Sequence, residues 1–188
     1  MRIGVLAVQG DFARHVQTLQ SLGADVVEIR KAEQLKGLNG IIIPGGESTT
    51  FQIMLDLHGL GSALRTALSN GLPVWGTCAG AIMLGKGNGI PQPRFNLIDV
   101  EVVRNGFGRQ VDSFVTSLRI TFLQGDFPGV FIRAPRFTAA GRDVELLASH
   151  NGEPVMVRQG RVVISSFHPE LTPDDRIHKW FIETVCKP

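Results

Sequence analysis

Three short apolar runs, separated by segments with helical periodicity, set the strongest limit on how this chain can fold. The runs cover Ile3–Val8, Gly40–Ile43 and Pro73–Thr77, and none of them alternates with charged residues. Continuous apolar strands are expected where both faces of a sheet are covered, as in parallel sheets with helical crossovers. The pattern therefore predicts an α/β fold with a mostly parallel central sheet flanked by helices on both faces.

The segments between these runs predict the connections. They comprise a helix that Asp11 can cap and Gly23 can end, a strand over Asp25–Ile29, a helix that begins near Thr50 behind a Ser48 or Thr49 cap, and a helix over Gly61–Asn70. In sheets of this kind the ligand site lies at the carboxyl ends of the strands. Three features fall at such ends and are expected near one another: Gln9-Gly10, Pro44–Ser48 and Cys78.

The second half of the chain is predicted to be rich in β-structure. Asn151-Gly152 and Gln159-Gly160 are typical of hairpin turns. The β-like runs are Leu97–Val103, Ser113–Phe122, Val130–Ile132, Val144–Ala148, Pro154–Arg158 and Arg161–Ser166.

The C-terminal segment predicts a last helix. Thr172 is suited to the N-cap position and Pro173 to the first helical position. The apolar stripe expected to be buried consists of Ile177, Trp180, Phe181 and Val185.

Length and composition indicate one globular domain over residues 1–188. The chain is 43% hydrophobic and 19% charged, and 19 basic residues against 17 acidic ones give a net charge of +2. No basic block indicates nucleic acid, and the longest apolar runs are far too short to cross a bilayer. The first apolar run has no small-residue cleavage site after it, so it predicts a strand rather than a signal peptide. We therefore expect a cytoplasmic protein with neither nucleic acid nor membrane as a partner.

Cys78 lies in a sequence typical of a nucleophile elbow. Gly76-Thr77-Cys78-Ala79-Gly80 follows a predicted strand and precedes the apolar helical segment Ala81–Leu84, which is the context that the G-x-C-x-G pattern requires. A helix N-terminus beside the sulfur favours thiolate, and the amide of Ala79 can face a developing oxyanion. By itself the pattern leaves open a buried structural cysteine in a Gly-rich turn.

His168 and Glu170 supply a candidate base and the acid that orients it. His168 directly follows the apolar run Val162–Phe167, and Pro169 separates it from Glu170. Pro169 biases its predecessor towards an extended backbone, in which residues two apart point the same way. Glu170 is therefore predicted to reach the His168 imidazole, orient it and stabilise its protonated form. A strand-ending His-Pro without catalytic function is the alternative.

The loop Pro44–Ser48 is the third candidate element. Its two glycines, Gly45 and Gly46, allow a close approach of the backbone, and their amides could complete an oxyanion hole. Glu47 and Ser48 could hold the ammonium and carboxylate of a ligand. A plain turn capped by Ser48 is the alternative, and a phosphate-binding loop is disfavoured because no Gly-Lys-Ser/Thr follows.

The other histidines and the second cysteine carry no predicted role. His15 and His178 lie in predicted helices and are expected at the surface or as caps, whereas His58 and His150 are expected in loops. Cys186 is expected to be a buried or idle thiol. No metal or cofactor is predicted, because no C-x-x-C, H-E-x-x-H, EF-hand or G-x-G-x-x-G pattern of the required context is present.

Taken together, these motifs resemble class I glutamine amidotransferases, which have a flavodoxin-like fold. More narrowly, the chain is similar to the glutaminase subunits of pyridoxal 5′-phosphate synthase over nearly its whole length. Two of the matching segments are specific to these subunits, because the triad pattern is shared by all class I glutaminases: Arg104–Phe114 and Phe131–Pro135. The other three are Val8–Asp11, Gly45–Thr50 and Phe167–Thr172.

The resemblance implies hydrolysis of L-glutamine to L-glutamate and ammonia. Cys78 would form a γ-glutamyl thioester, His168 would carry the proton, and Glu170 would complete the triad. The oxyanion contacts would come from Gly45, Gly46 and Ala79. The substrate would be held by Gly46, Glu47, Ser48, Arg104, Ile132 and Arg133. The two arginines suit a carboxylate, because a guanidinium group binds one through two parallel hydrogen bonds.

The resemblance also implies a partner. Ammonia would pass to a separate synthase subunit (PdxS-type) within a large hetero-oligomer, and that subunit would condense it with a pentose phosphate and a triose phosphate. The oxyanion loop is expected to be organised only when this partner docks, so the isolated chain should be a poor glutaminase.

Four positions or segments depart from the family pattern. Gly106 stands where a small residue with a β-carbon is usual and Asn96 where glycine is usual, while Gly87–Pro93 and Pro173 do not match. None of them belongs to the triad. Two alternatives stay open: a glutaminase subunit of another ammonia-consuming synthase, which Arg104–Phe114 argues against, and a cysteine peptidase or non-catalytic sensor on the same scaffold.

Overall fold

A seven-stranded sheet forms the centre of the computed structural model, which describes residues 1–57, 59–87, 95–104 and 113–187 and gives the backbone alone at positions 48, 49, 52, 56 and 57. Seven of the strands in the described residues belong to this sheet, and the others form two small sheets. In chain order the strands are β1 (Arg2–Leu6), β2 (Asp25–Ile29), β3 (Gly40–Ile43), β4 (Val74–Thr77), β5 (Val100–Val103), β6 (Ser113–Leu118), β7 (Phe127–Ile132), β8 (Arg136–Ala140), β9 (Glu145–His150), β10 (Glu153–Gln159) and β11 (Val162–Ser165).

Helices connect the strands of the first half and end the chain. The α-helices are α1 (Phe12–Ser21), α2 (Ser48–Leu57), α3 (Leu60–Ser69), α4 (Ala79–Leu84) and α5 (Arg176–Trp180). Short 3-10 turns cover Ala32–Leu35 and Pro169–Leu171, and a π-helical turn over Phe181–Val185 follows α5. Within the described ranges, no helix is long and apolar enough to span a membrane.

The sheet order is β2-β1-β3-β4-β11-β10-β9. The first five of these strands run parallel, and β10 and β9 add an antiparallel edge. Two further pairs, β5–β8 and β6–β7, form small antiparallel sheets. The prediction of a mostly parallel sheet with a β-rich second half is confirmed. The strand order reverses between β1 and β3, where the carboxyl ends of open α/β sheets leave a crevice for ligands.

Alternate residues of the central strands enter two separate apolar cores, which lie on opposite faces of the sheet. Ile42 and Trp75 belong to the core that includes residues of α1 and α5. Ile41, Ile43 and Val74 belong to the core formed with α2, α3 and α4. Because both faces are covered, these strands carry the continuous apolar runs seen in the sequence, and each fully buried isoleucine contributes about 1.5–3 kcal/mol.

The start of α2 differs from the prediction. The helix begins at Ser48 rather than near Thr50, and its first turn is capped from Glu47. Oε2 of Glu47 accepts hydrogen bonds from the backbone N–H of Thr50 at 2.8 Å and from its hydroxyl at 3.0 Å. The expectation of a Ser48 or Thr49 cap was therefore wrong, because the glutamate satisfies the free amide of this turn.

The predicted start of the last helix was also wrong. Thr172 has an extended backbone, and its hydroxyl donates to the carbonyl of Pro169 at 3.1 Å and accepts from the N–H of Asp174 at 3.3 Å. The carboxylate of Asp174 then accepts from the N–H of Arg176 at 3.2 Å, and α5 begins there. Side-chain bonds of this local kind compete with helix initiation, so the helix starts later than Pro173 suggested.

The strands of the second half differ in part from those predicted. Strand β8 was not predicted, because three of its five residues are exposed and it lacks an apolar run.

The departure from the family pattern at Asn96 has a structural reason. Asn96 has a φ of 52°, a left-handed conformation that favours glycine or asparagine, so these two residues can replace each other at this position. The departures at Gly106 and most of Gly87–Pro93, like His58, lie outside the described residues.

Candidate active site

Cys78 occupies the sharp turn between β4 and α4. Its backbone has φ 48° and ψ −102°, which is a strained conformation for a residue with a side chain and is typical of functional turns. The N–H of Cys78 donates to the carbonyl of Ser165 at 2.9 Å, so β11 holds the turn in place. A β-carbon at Gly80 would lie 2.0 Å from the carbonyl oxygen of Ile43, so only glycine lets α4 start this close to β3.

The side chains of His168 and Glu170 are in contact as predicted, but the backbone that brings them together is a turn and not an extended segment. The N–H of His168 donates to the carbonyl of Val130 at 2.8 Å, which fixes the backbone at the end of β11. Nδ1 of His168 lies 2.7 Å from Oε1 of Glu170. Glu170 belongs to the 3-10 turn Pro169–Leu171 and not to an extended segment, so the turn rather than strand alternation brings the two side chains together.

The environment of His168 favours its protonated form. Burial alone lowers the pKa of His168, but hydrogen bonds and electrostatic interactions with Cys78 and Glu170 outweigh burial and raise the pKa to about 10. The imidazole is therefore a cation at neutral pH, held between the Cys78 side chain and a buried carboxylate.

The Gly45-Gly46 segment packs directly on these residues. A β-carbon at Gly45 would lie 2.4 Å from Cε1 of His168 and 3.5 Å from Cβ of Cys78, so the loop passes within contact of both. The carbonyl of Gly45 accepts a hydrogen bond from the N–H of Asp11 at 3.2 Å. The loops after β1 and β3 are thus joined by a hydrogen bond beside Cys78. The sequence analysis expected Gln9-Gly10, Pro44–Ser48 and Cys78 to lie near one another, and these loops do so.

A cavity of about 150 Å³ opens onto the sulfur of Cys78. Its lining includes most of the residues predicted to hold a substrate, and two that were not predicted, Asp11 and Ile82. The side chain of Ser48 lies outside the described part of the chain. Gly45 and Glu170 are not among the residues that line it. The lining residues are Asp11, Gly46, Glu47, Cys78, Ala79, Ile82, Arg104, Ile132, Arg133 and His168.

Opposite charges pair with each other in the wall of this cavity. The guanidinium group of Arg104 lies 3.0 Å from Oε1 of Glu47, whose other oxygen caps α2. Arg133 is exposed and has a φ of 43°, so the chain turns sharply where it meets the cavity. The carbonyl of Ile132 lies 3.9 Å from Sγ of Cys78. The cavity therefore offers both charge signs within reach of the nucleophile.

Two histidines expected at the surface are instead completely buried. His15 and His178 have no exposed area, and Nδ1 of His15 lies 2.9 Å from Nε2 of His178. A signal for this burial was present in the sequence. His15 falls on the apolar stripe of α1 with Val16 and Leu19, and a polar residue on such a stripe is expected to face the core.

One group of potential metal ligands occurs among the described residues. Ligand atoms of Asp11, His168 and Glu170 lie within 4.8 Å of one another. Nδ1 of His168 is already engaged by Glu170 at 2.7 Å, so this cluster is accounted for as a hydrogen-bonded His-Glu pair with a nearby exposed carboxylate.

The strained turn at Cys78 lies beside a buried His-Glu pair and a glycine loop, at the carboxyl edge of a parallel sheet. This arrangement is typical of α/β hydrolases with a cysteine nucleophile, and it makes Cys78, His168 and Glu170 a candidate triad. The comparisons with known proteins narrow this class. A family model described as the SNO glutamine amidotransferase family matches residues 5–187, and the chain belongs to this family.

Individual relatives agree with this assignment. The chain is 50% identical over 188 residues to "Pyridoxal 5'-phosphate synthase subunit PdxT" of Dehalococcoides mccartyi, covering 97% of this chain and 96% of that protein. It is 50% identical over 189 residues to the protein of the same name from Carboxydothermus hydrogenoformans, covering 100% and 99%. A solved structure described as a glutamine amidotransferase is 49% identical, with a TM-score of 0.91 over 96% of this chain and 97% of that one.

Proposed function

We propose that this chain hydrolyses L-glutamine to L-glutamate and ammonia, with Cys78 as nucleophile, and supplies the ammonia for pyridoxal 5′-phosphate synthesis. The observation that carries the proposal is the contact chain Cys78–His168–Glu170 at the floor of a charged cavity. The family supports glutamine as the substrate. The name of the close relatives supports pyridoxal 5′-phosphate as the product of the complex.

Acylation begins with the Cys78 thiolate, whose proton resides on His168. The sulfur attacks the side-chain carbonyl carbon of glutamine, a C–S bond forms, and the carbonyl electrons move onto oxygen. The amides of Gly45, Gly46 and Ala79 stabilise this oxyanion by donating hydrogen bonds to it. His168 then donates its proton to the amide nitrogen, the C–N bond breaks, and ammonia leaves a γ-glutamyl thioester.

Hydrolysis of the thioester reverses these roles. His168, now neutral, accepts a proton from water, and the resulting hydroxide attacks the thioester carbonyl. The C–S bond breaks and glutamate leaves, which restores the Cys78 thiolate and the His168 imidazolium. Glu170 stabilises the positive charge on His168 and keeps its Nδ1–H directed at Oε1 throughout.

The opposite charges of Glu47 and Arg104 suit the binding of a free amino acid. The substrate is a zwitterion, so its α-carboxylate can pair with Arg104 or Arg133 while its α-ammonium pairs with Glu47. Ile132 contributes a wall beside the sulfur. Gly46 and Ser48 complete the proposed substrate contacts, as the family resemblance implies.

The finer assignments follow from the same resemblance. The chain acts as one glutaminase domain over residues 1–188, and it works in the cytoplasm without a metal or cofactor of its own. Its partner is the synthase subunit, within a large hetero-oligomer, and docking of that subunit organises the Gly45-Gly46 loop.

Glutamate release tests the proposal. We expect the chain to release glutamate from L-glutamine rapidly with the synthase subunit present, slowly without it, and not at all when Cys78→Ala is introduced. Cys186→Ala is the matched control, because Cys186 is buried and burial raises its pKa to about 12. Retained activity in Cys78→Ala would overturn the mechanism, and full activity of the isolated chain would overturn the partner-dependent loop.

A labelling experiment separates this proposal from a peptidase or a sensor. 6-Diazo-5-oxo-L-norleucine is a glutamine analogue that alkylates a nucleophilic thiol at the site of hydrolysis. We expect it to modify Cys78 and not Cys186, and we expect excess L-glutamine to protect. A cavity of about 150 Å³ with charged walls suits a free amino acid. Cleavage of an extended peptide without labelling by the analogue would instead support a peptidase.

A further inference from the structure

A second buried polar cluster lies directly behind Glu170 and has no part in the proposed mechanism. It joins His15 of α1 to His178 of α5 through the 2.9 Å contact between Nδ1 of His15 and Nε2 of His178. Nε2 of His15 lies 3.3 Å from Oε2 of Glu170 and 3.4 Å from the hydroxyl of Thr77, the residue before Cys78. All four side chains of the cluster are buried, so each polar atom in it needs a partner.

Both histidines are neutral in the folded protein. Burial lowers the pKa of His178 to about 3. Burial, and after it the proximity of His178 and His168, lowers the pKa of His15 well below its ordinary value. A 2.9 Å contact between two neutral imidazoles requires one N–H and one lone pair, so only two arrangements of protons are possible.

The surroundings favour one of these arrangements. If Nδ1 of His15 donated to His178, the lone pair of Nε2 would face the carboxylate of Glu170 at 3.3 Å. Nδ1 of His178 would then carry a buried N–H, and this atom has no hydrogen-bond partner among the described residues. If His178 donates to His15 instead, Nε2–H of His15 faces Oε2 of Glu170 and only a lone pair is left unpaired on His178. The second arrangement places no lone pair against the carboxylate and leaves no buried N–H without an acceptor, so it is lower in energy.

We infer that His15 is a positioning residue of the triad, whose Nε2–H lies beside Oε2 of Glu170 in a tautomer selected by His178. Oε1 of Glu170 is bound by His168, whereas Oε2 has no hydrogen bond within the described part of the chain and lies 3.3 Å from Nε2 of His15. A buried carboxylate oxygen without a donor strongly disfavours the ionised carboxylate. The N–H of His15, 3.3 Å away, offsets this by placing its positive end beside the oxygen, and it thereby fixes the angle at which Glu170 meets His168. This role rests on the proposed glutaminase function.

Two amide variants of His15 test the direction of this N–H. His15→Gln places an NH₂ group where Nε2 lies and keeps a donor for Glu170. His15→Asn places its amide where Nδ1 lies, so it can bond His178 but cannot reach Glu170. Both variants keep a buried polar group, and Val16→Ala on the same helix removes buried methyl groups without removing a donor.

The readout is kcat and KM for glutamate release against pH, with the synthase subunit present. In the described residues, the titratable groups facing Glu170 are His168 from its own turn and His15 from α1, with His178 from α5 behind them. Asp11 lies 3.9 Å from Nδ1 of His168. We expect His15→Asn to lower kcat about 10- to 100-fold with little change in KM, because the misplaced Glu170 disturbs the geometry of the reacting groups.

The pH profile separates positioning from folding. His15→Asn should move the acidic limb of kcat to higher pH, while His15→Gln restores most of kcat and the original limb. Val16→Ala should keep the wild-type limb. Equal kcat and equal limbs in His15→Asn and wild type would overturn the inference, as would a His15→Gln variant that is folded but as impaired as His15→Asn.

Nitrogen-15 NMR of the full wild-type chain gives a second test that needs neither variant nor activity. We expect the Nε2 of His15 to carry the proton and the Nδ1 to be unprotonated, with the same tautomer in His178. A protonated Nδ1 on His15 would overturn the inference even if glutamate release is normal. A wild-type complex that releases no glutamate would overturn the proposed function instead, and the NMR result would still decide the tautomer.

Discussion

Nδ1 of His168 lies 2.7 Å from Oε1 of Glu170, with both side chains almost completely buried. The two residues are separated only by Pro169, which starts the 3-10 turn that carries Glu170 back towards the imidazole. Because burial strengthens the interaction between these groups, a short local turn can set both the orientation and the charge of the candidate general base.

Glu170→Gln should separate the charge of this carboxylate from its shape. The variant keeps the volume of the side chain but cannot stabilise an imidazolium, so we expect kcat for glutamate release to fall by a factor of about 10²–10⁴. Glu183→Gln is the matched control, because Glu183 is exposed on the C-terminal turn. Similar rates for the two variants would show that Glu170 has no place in the triad.

Alkaline pH should weaken the fold through His168. Its pKa is raised from 6.5 to about 10, so the folded protein binds a proton that the unfolded chain loses in this range. The stabilisation is complete below about pH 6.5 and is lost as pH rises towards about 10, with a slope of at most about 1.4 kcal/mol per pH unit. Urea unfolding at several pH values should show this decline in the wild type and a flatter profile in His168→Asn. Parallel profiles would contradict the assigned charge.

Acidic pH should weaken the fold through His178. Burial lowers the pKa of this residue from 6.5 to about 3, so the unfolded chain binds a proton that the folded protein excludes. Its contribution is present above about pH 6.5 and is lost as pH falls towards about 3. We expect the difference in unfolding free energy between wild type and His178→Gln to change across this window. The carboxylates titrate in both proteins, so their contributions cancel in this difference. A constant difference would contradict the neutral buried imidazole.

Much of the parallel half was predictable because its signals are local. The runs at β1, β3 and β4 are apolar on both faces, and the glycine-flanked Cys78 follows one of them directly. Glu170 was predictable as a partner of His168 because the two residues are neighbours along the chain. In each case the relevant contact depends on residues only a few positions apart.

Features that depend on distant contacts were missed. The segment before α5 is anchored by Arg176, whose guanidinium group donates to the carbonyl of Gln124, 52 positions away along the chain. Strand β8 exists because β5 pairs with it, not because of its own composition. The role of His15 becomes visible only when α5 brings His178 against it. The burial of His15 on the apolar stripe of α1 could have been inferred from the sequence, but its contacts with His178 and Glu170 could not.

Gly45→Ala should damage the site without damaging the fold generally. Its β-carbon would lie 2.4 Å from Cε1 of His168, so the imidazole must move away from Cys78. Displacements of this order cost about 10²-fold in rate, and we expect that loss in kcat. Gly61→Ala in α3 is the control, because its β-carbon would meet Leu55 of α2 at an ordinary 3.4 Å, and this variant should keep wild-type activity. A fully active Gly45→Ala would show that the loop does not pack on the triad as described.

Trapping the covalent intermediate tests the central claim most directly. The complex is mixed with L-glutamine, quenched in acid within its first turnovers, and the chain is mapped by mass spectrometry. We predict a γ-glutamyl group on Cys78, no modification of Cys186, and no adduct in Cys78→Ala. Rapid glutamate release with Cys78 unmodified, or with the γ-glutamyl group on another residue, would contradict the account.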